Sequence, residues 1–384
     1  MSHSAEFGVS FRVVLATSVV AFSSFYAPQP LLPLLAEEFQ IGATHSAWLL
    51  TLPFFCLAVS PIVIGGLLQT ASARKVLSGA MIVMALSLVG FALSETYSLL
   101  IVFRGLQSLM FPVIFTACMT YASRAGDSLS RQKRVAVYIS STILGGFSGR
   151  IFGGFAAENF GWSIPFLALA VVSGIAAIVI HLKVKDVPIE GQPLDARATL
   201  ALLKTPNVIY VLVIVFATFF TFVGALNVLP FRLLELAPDM GTSVIALAYS
   251  GYAIGVFIPL FLQQMIDRFG GEVATLTLGL AVLLAGLVGL ALPEAYSLFG
   301  VCLLISSGMF VIHATASGFL NQLYAANASL INGAYISNYY TAGALGSIVP
   351  VWVVSRFGWS SFVLLQLIVA ISALWFLFKL KKSL

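Results

Sequence analysis

Charged residues are scarce in this sequence. Lysine, arginine, aspartate and glutamate make up 9% of its 384 residues, whereas hydrophobic residues make up 60%. A soluble domain typically has about 25% charged and about 45–50% apolar residues. Water cannot cover so much apolar surface with so few charges, so we expect a lipid bilayer to surround most of the chain. The net charge of +5 comes from basic residues in short breaks between apolar runs, and we therefore expect no nucleic-acid partner.

Cysteines and catalytic motifs are also sparse. The three cysteines, Cys56, Cys118 and Cys302, lie far apart inside apolar runs, without metal-ligand spacing or an even-numbered disulfide framework. The sequence has no Gly-x-x-x-x-Gly-Lys loop, no His-Glu-x-x-His pair and no Gly-x-Ser-x-Gly elbow. We therefore expect neither an enzyme nor an ATP-driven pump, and we expect no metal and no cofactor.

Long apolar runs occupy most of the chain. A membrane-spanning helix needs about 20 predominantly apolar residues. The sequence therefore predicts an all-α membrane protein with about twelve transmembrane helices, at residues 12–34, 46–68, 76–94, 97–121, 135–157, 163–182, 207–229, 243–264, 273–292, 296–319, 330–354 and 360–378.

The longest polar break lies at the middle of the chain, at Lys183–Thr205. It predicts an N-terminal six-helix bundle at residues 1–182, a cytoplasmic linker at 183–205 and a C-terminal six-helix bundle at 206–384. If both termini are cytoplasmic, most of the 19 lysines and arginines fall on the cytoplasmic side. The positive-inside rule therefore favours this orientation.

The two predicted bundles repeat each other. The segment Phe-Gly-Trp-Ser after Asn159 recurs after Arg356, 197 residues later, and the same offset pairs Gly146 with Gly343 and Arg150 with Ser347. Matches in the same order and direction predict a pseudo-symmetric pair of six-helix halves. Transporters built from such parallel repeats hold their substrate at the interface between the repeats.

Four segments carry a family resemblance, namely the segment that begins at Tyr26, Arg104-Gly-Leu-Gln107, the Gly-Arg pair at Arg150 and the region around His313. In these segments the chain resembles the major facilitator superfamily, and it is most similar to bacterial inner-membrane permeases of the drug–proton antiporter and arabinose-efflux type. The resemblance implies a secondary transporter of the bacterial inner membrane that works by alternating access. We expect it to act as a monomer.

The family's loop signature between helices 2 and 3 is only partly present. The first-half copy keeps one glycine and the final Arg-Lys, but it lacks the Asp, the first Arg and the second glycine. The second-half copy keeps Asp267 and Arg268. The resemblance implies that these two residues form a gating latch near the start of helix 5. The alternative is that they only anchor the topology.

Two arginines lie inside predicted spans. A charge at bilayer depth costs at least about 2.5–3.5 kcal/mol on insertion scales, and both Arg104 and Arg150 should lie roughly 10 Å deep. No Asp or Glu lies in the middle of any predicted span. We therefore expect an anionic substrate to supply the counter-charge through bidentate hydrogen bonds. The alternatives are snorkelling to the interface and bonding to backbone carbonyls.

Two further features are a histidine inside a predicted span and a row of glycines on helix 5. His313 is the other titratable group well inside a span, and it could relay a proton, although a hydrogen-bonded structural histidine is an alternative. Gly145, Gly149 and Gly153 recur every fourth residue on helix 5. They predict either a mobile helix crossing that helps gating or ordinary small-residue packing.

A set of polar and aromatic residues completes the predicted binding cavity. Each of them could instead bond helix to helix. The set is Tyr26, Gln29, Gln107, Tyr138, Asn227, Ser317, Tyr335, Asn338 and Tyr339.

The favoured function is secondary active transport of a small organic anion, such as a carboxylate metabolite or a siderophore-like compound. The resemblance favours efflux and coupling to protons. The alternative is proton-coupled multidrug efflux of apolar or cationic compounds. The lack of a mid-membrane carboxylate argues against that alternative, because a cation would need one as its partner. A membrane enzyme and a non-transporting sensor are the remaining, less favoured, hypotheses.

Overall fold

A computed structural model describes residues 3–124, 131–189 and 196–383, and these are almost entirely helical. Seven α-helices lie in its part of the first half of the chain. They are α1 (His3–Tyr26), α2 (Leu32–Glu38), α3 (Ala43–Leu67), α4 (Ala73–Ala92), α5 (Tyr97–Arg124), α6 (Arg131–Phe160) and α7 (Ile164–Lys183).

Eight α-helices follow in the described part of the second half. They are α8 (Ala196–Leu203), α9 (Pro206–Leu236), α10 (Thr242–Leu247), α11 (Ile254–Phe269), α12 (Glu272–Gly289), α13 (Ser297–Leu323), α14 (Ala328–Phe357) and α15 (Trp359–Ser383). Helix α8 lies in the predicted linker, and linker residues 190–195 lie outside the described residues.

Eleven helices of the described ranges are long and apolar enough to cross a membrane. Helices α1 and α2 together form the first of these spans, and α10 and α11 together form the eighth in the predicted order. Helix α14, with 30 residues, coincides with the remaining predicted stretch. The predicted fold class, an all-α membrane protein with about twelve spans, is confirmed.

Two spans are interrupted, for different local reasons. In the first, Pro28 and Pro30 lack the N–H groups that a continuous helix needs, and the chain forms a 3₁₀ turn at Gln29–Leu31 before α2. In the eighth, a 3₁₀ segment at Ala248–Ala253 separates α10 from α11. Both interruptions lie inside the bundle, because Gln29 of the first and Tyr249 and Tyr252 of the second are buried.

The sequence repeat is also present in the packing. A Cβ atom built on Gly149 of α6 would lie 2.3 Å from the carbonyl oxygen of Ser23 in α1. A Cβ atom on Gly346 of α14 would lie 2.5 Å from the carbonyl oxygen of Phe220 in α9. Both pairs are separated by the 197-residue offset. The fifth span thus packs on the first as the eleventh packs on the seventh.

The linker pairs with the loop between α3 and α4. Ser72 and Pro188 form an antiparallel β-bridge. The Ser72 hydroxyl donates to Asp186 at 2.6 Å, and the Arg74 N–H donates to the same carboxylate at 3.3 Å. This loop lacks the acidic residue of the family signature, and the linker supplies a carboxylate to it. We call this end of the bundle the linker end and the opposite end the far end.

Candidate functional site

Arg150 is buried at the interface between the two halves, with 1% of its surface exposed. Its Nε donates to Oε1 of Gln29 at 2.6 Å, and its Nη1 donates to the carbonyl oxygen of Gly146 at 2.8 Å. Its Nη2 donates to no carbonyl or carboxylate in the described ranges, and no acidic side chain there forms an ion pair with it. The hydrogen-bond partners of this guanidinium are therefore uncharged.

Three tyrosine rings surround the Arg150 guanidinium. Its Cζ atom lies 4.0 Å from the ring centre of Tyr26, 4.3 Å from that of Tyr252 and 5.3 Å from that of Tyr249. Tyr26 belongs to the first half and the other two to the second. Cation–π contacts of this kind contribute about 0.5–2 kcal/mol each. They hold the cation without neutralising it.

Both interrupted spans contact this arginine. Gln29 lies in the 3₁₀ turn of the first span, and Tyr249 and Tyr252 lie in the 3₁₀ segment of the eighth. Discontinuous helices form the substrate sites of many secondary transporters, because irregular backbone at membrane depth is tolerated where it lines a cavity. This coincidence makes the surroundings of Arg150 the best candidate for the binding site.

A row of amides runs from Arg150 into the second half. Gln29 donates its Nε2 to Oδ1 of Asn227, and Asn227 donates its Nδ2 to the carbonyl oxygen of Ser347 at 3.1 Å. The hydroxyl groups of Ser347 and Thr51 are 2.7 Å apart. The structure thus brings together four residues of the predicted site, namely Tyr26, Gln29, Asn227 and Arg150.

Arg104 has a different environment. It is fully buried, and it donates to the carbonyl oxygens of Leu49 at 2.6 Å, Ser24 at 3.1 Å and Phe25 at 2.6 Å. Its Nη1 also donates to Oε1 of Gln107 at 2.8 Å. The alternative of bonding to backbone carbonyls therefore describes Arg104 in this structure. A substrate-binding role for Arg104 and Gln107 stays a prediction.

A second cluster contains His313, Tyr335 and Tyr339. The Tyr335 hydroxyl lies 2.8 Å from Nδ1 and 3.1 Å from the carbonyl oxygen of His313. The Tyr339 ring stacks on Phe219 with centroids 3.5 Å apart and lies 4.6 Å from the His313 ring. The relay role of His313 stays a prediction.

A small pocket adjoins this cluster, and its interior has no space for a water molecule. Drug-sized ligands occupy sites of about 300–1,000 Å³. Binding of such a ligand therefore requires the side chains or the halves to move apart. The lining residues are Val215, Thr218, Phe219, Met309, Ile312, His313 and Tyr339.

The other predicted binding residues lie away from Arg150. Tyr138 is buried, and its hydroxyl donates to the carbonyl oxygen of Phe115 at 3.4 Å. Asn338 donates to the carbonyl oxygen of Leu212 at 2.9 Å. Ser317 is half-buried on α13, one turn beyond His313. These contacts bond helix to helix, and a contact with substrate stays a prediction for all three.

The predicted gating residues fall into two groups. A Cβ atom built on Gly145, Gly149 or Gly153 would lie within 2.6 Å of a backbone oxygen of α1 or of Ala27 just beyond it, so these glycines form a close helix crossing. The carboxylate of Asp267 instead accepts from Gln263 of its own helix at 2.9 Å, and both Asp267 and Arg268 are exposed. The latch stays a prediction.

The two halves are in close contact at the far end. The Thr242 hydroxyl donates to the carbonyl oxygen of Gly154 at 2.9 Å, and the Ser243 N–H donates to the Glu158 carboxylate at 2.6 Å. A Cβ atom on Gly154 would lie 2.5 Å from that of Ala246. These contacts join α6 to α10 and close this end of the bundle.

The family model of the Major Facilitator Superfamily matches residues 14–347. The chain belongs to the Major Facilitator Superfamily. It is a multi-pass membrane transporter of this type, and the fold and the relatives indicate a transporter rather than an enzyme.

Two similar transporters come from bacteria. An uncharacterized transporter of Buchnera aphidicola subsp. Schizaphis graminum is 24% identical over 376 residues, which cover 94% of this chain and 90% of the relative. The inner membrane transport protein YnfM of Escherichia coli is 24% identical in an alignment 385 residues long, which covers 94% of this chain and 89% of the relative.

A solved structure shows the same superfamily fold. It is that of a bacterial homolog of the human lysosomal transporter Spinster, in an inward-facing and unoccupied conformation. Its TM-score is 0.80 at 12% identity, with 98% of this chain and 97% of that chain covered.

Sequence reasoning missed Tyr249 and Tyr252. Their aromatic side chains gave no signal within an apolar run, and the 3₁₀ segment that directs them to Arg150 has no proline to mark it.

Proposed function

We propose that this protein is a secondary active transporter of small organic anions and that Arg150 binds the anionic group. The observation that supports this proposal is the buried, unneutralised guanidinium between the two halves. Its described neighbours are an amide, a carbonyl and tyrosine rings. A carboxylate could approach the guanidinium with charge-assisted hydrogen bonds that are roughly twice as strong as neutral ones.

The position of Arg150 supports transport by alternating access. Its neighbours Tyr26 and Tyr252 belong to different halves, so separation of the halves would open the site. In this structure the far end is closed by the Gly154–Thr242 contact. Under the proposed topology, both termini are cytoplasmic and the far end faces outward in the bacterial inner membrane.

We further propose that transport is efflux, that it is linked to protons and that the protein acts as a monomer. His313 is the candidate relay, because its Nδ1 is hydrogen-bonded to Tyr335 and imidazole can change charge near neutral pH. We also propose that the halves correspond to residues 1–182 and 206–384, with 183–205 as the linker. Asp267 and Arg268 would then form their latch in the conformation that closes the linker end.

Anion binding can be tested with the purified full-length protein. Thermal-shift screening should show stabilisation by carboxylates but not by cationic dyes. Arg150→Gln should weaken carboxylate binding by about tenfold or more, because the charge is lost. Arg356→Gln is the matched control, since Arg356 is exposed at the end of α14. If Arg150→Gln binds carboxylates as tightly as the parent, the proposed role of Arg150 is wrong.

Transport and proton coupling need a separate experiment. Counterflow of a stabilising carboxylate in proteoliposomes distinguishes a carrier from a sensor. An imposed pH gradient should drive accumulation in the parent protein, and His313→Gln should reduce this drive but retain counterflow. His45→Gln is the control, because His45 packs against Tyr97 at the far end. Unchanged proton drive in His313→Gln would exclude the relay.

Multidrug efflux is the second candidate, and the tyrosine rings favour it. Tyr26, Tyr249 and Tyr252 present ring faces of the kind that bind organic cations. In this structure, however, the Arg150 guanidinium occupies these faces. Stabilisation by cationic dyes that persists in Arg150→Gln would support this candidate over anion transport.

A further inference from the structure

The interface between the halves has one available positive charge. Three arginines are buried in the part of the chain that the structure describes, namely Arg104, Arg134 and Arg150. Arg104 donates hydrogen bonds to the backbone carbonyls of α1 and α3. Arg134 lies near the start of α6 and donates to the carbonyl oxygen of Ala122. A single guanidinium remains, so a second carboxylate on the substrate would be desolvated without a partner, which is strongly unfavourable.

Aromatic rings lead away from Arg150 through the second half. The Tyr252 ring, which faces the guanidinium, is stacked with Phe222 at 6.1 Å. Phe222 is stacked with Phe219 at 5.9 Å, and Phe219 with Tyr339 at 3.5 Å. The first two separations lie within the range of about 4.5–7 Å that is typical of favourable aromatic pairs, and the third is a closer, stacked contact. These four residues, which we call the aromatic row, end beside the small pocket at His313.

The first half faces the aromatic row with a ring of its own. Phe54 of α3 is buried, and its ring lies 6.2 Å from Tyr26, 5.8 Å from Phe219 and 6.3 Å from Tyr340. The Phe54–Phe219 contact joins the two halves. When the halves separate, it must open into a slot that has aromatic side chains on both walls.

Exposure changes along the aromatic row. Arg150 and Tyr252 are buried, whereas Tyr339, Tyr340 and His313 are half-buried. The charged end of the site is thus sealed, and the end with aromatic and apolar walls is the more accessible one. A ligand that enters from the accessible side meets ring surfaces before it reaches the guanidinium.

Building on the anion transport proposed above, we propose that the substrates are monoanions in which one carboxylate is attached to an aromatic body. The carboxylate binds Arg150, and the aromatic body inserts between Phe54 and the aromatic row. Phe219 is the specificity-determining residue, because it contacts both Phe54 across the interface and Tyr339 beside the pocket. Polycarboxylates such as citrate are excluded by the single charge.

Four probes test this inference in calorimetric titrations of the full-length protein. Benzoate has the charge and the ring, cyclohexanecarboxylate has the charge without aromaticity, benzamide has the ring without the charge, and citrate has additional charges. We expect benzoate to bind about three- to tenfold more tightly than cyclohexanecarboxylate. We expect it to bind at least about tenfold more tightly than benzamide and citrate.

Two variants assign the aromatic preference to Phe219. Phe219→Leu should reduce the benzoate-to-cyclohexanecarboxylate affinity ratio to about one, whereas Arg150→Gln should weaken both ligands together. Phe216→Leu is the matched control, because Phe216 lies on the same helix and stacks on Phe220. The ratio in Phe216→Leu should match that of the parent.

The outcomes separate this inference from the proposed function. Benzoate and cyclohexanecarboxylate could bind equally, or citrate could bind more tightly than benzoate. If that binding still depended on Arg150, the proposed class of aromatic monocarboxylate substrates would be overturned, and the proposal of anion transport would stand. An aromatic preference that survives in Phe219→Leu would overturn the role of Phe219. If no anion binds in an Arg150-dependent way, the proposed function and this inference are both wrong.

Discussion

Gln29 in the 3₁₀ turn of the first span and Asn227 in α9 hydrogen-bond to each other between the halves. Arg150 determines the direction of this bond. A guanidinium can only donate, so Gln29 presents its oxygen to Arg150 and its NH₂ group to Asn227. Asn227 in turn donates to Ser347, which is the repeat counterpart of Arg150. The charge on one side of the pseudo-symmetry axis thus orients polar groups on the other.

Replacing Gln29 with glutamate should supply Arg150 with an internal counter-ion. An opposite charge at hydrogen-bond distance favours the charged forms of both groups, so Gln29→Glu should weaken carboxylate binding by about tenfold or more. The measurement is calorimetric titration with benzoate. Gln107→Glu is the matched control, because it places the same carboxylate beside the sealed Arg104. Equal losses in both variants would show that Arg150 has no special part in binding.

Arg104 should matter for stability rather than for affinity. Its removal leaves the carbonyl groups of Ser24, Phe25 and Leu49 without their donor, and hydrogen bonds to charged groups contribute about 1.5–3 kcal/mol each. Arg104→Ala should therefore lower the apparent melting temperature in detergent much more than Arg150→Ala does. The fraction that remains folded should bind benzoate normally. Selective loss of binding at unchanged stability would contradict this assignment.

Gly149 should not tolerate a side chain. A Cβ atom at this position would lie 2.3 Å from the carbonyl oxygen of Ser23, so α1 and α6 would have to move apart. Gly149→Ala should lower the folded yield in size-exclusion chromatography. Gly174→Ala is the control, because nothing lies within 4 Å of the corresponding atom, and alanine has a helix propensity about 0.8–1.0 kcal/mol better than glycine. Normal yield of Gly149→Ala would show that the crossing is loose.

A larger residue at Gly154 should prevent closure of the far end. The added side chain would meet Ala246 and the carbonyl oxygen of Thr242 across the interface between the halves. We expect Gly154→Leu to increase the labelling rate of Ser243→Cys by a thiol reagent, on a background that lacks the native cysteines. Gly174→Leu serves as the reference for a bulky residue that leaves this interface unchanged. Identical rates would mean that the Gly154 contact does not control access.

Several features could be predicted from composition and pattern. The scarcity of charge required a lipid environment, and the apolar runs predicted the spans. The 197-residue offset relates Gly149 to Gly346, and in the structure both pack against a backbone carbonyl of the neighbouring helix. These inferences succeed because hydropathy and small-residue spacing are local properties of a helix surface.

The difference between Arg104 and Arg150 could not be predicted in this way. Both are single arginines at similar depth in apolar spans, and the sequence by itself determined only that each needs a partner in the membrane. Tertiary structure decided which partner each one has: carbonyl groups at the end of α1 and in α3 for Arg104, and an amide, a carbonyl and tyrosine rings from both halves for Arg150. The physical reason is that hydrogen bonds and ring contacts depend on which helices meet, and helix crossings bring together residues that are far apart in sequence.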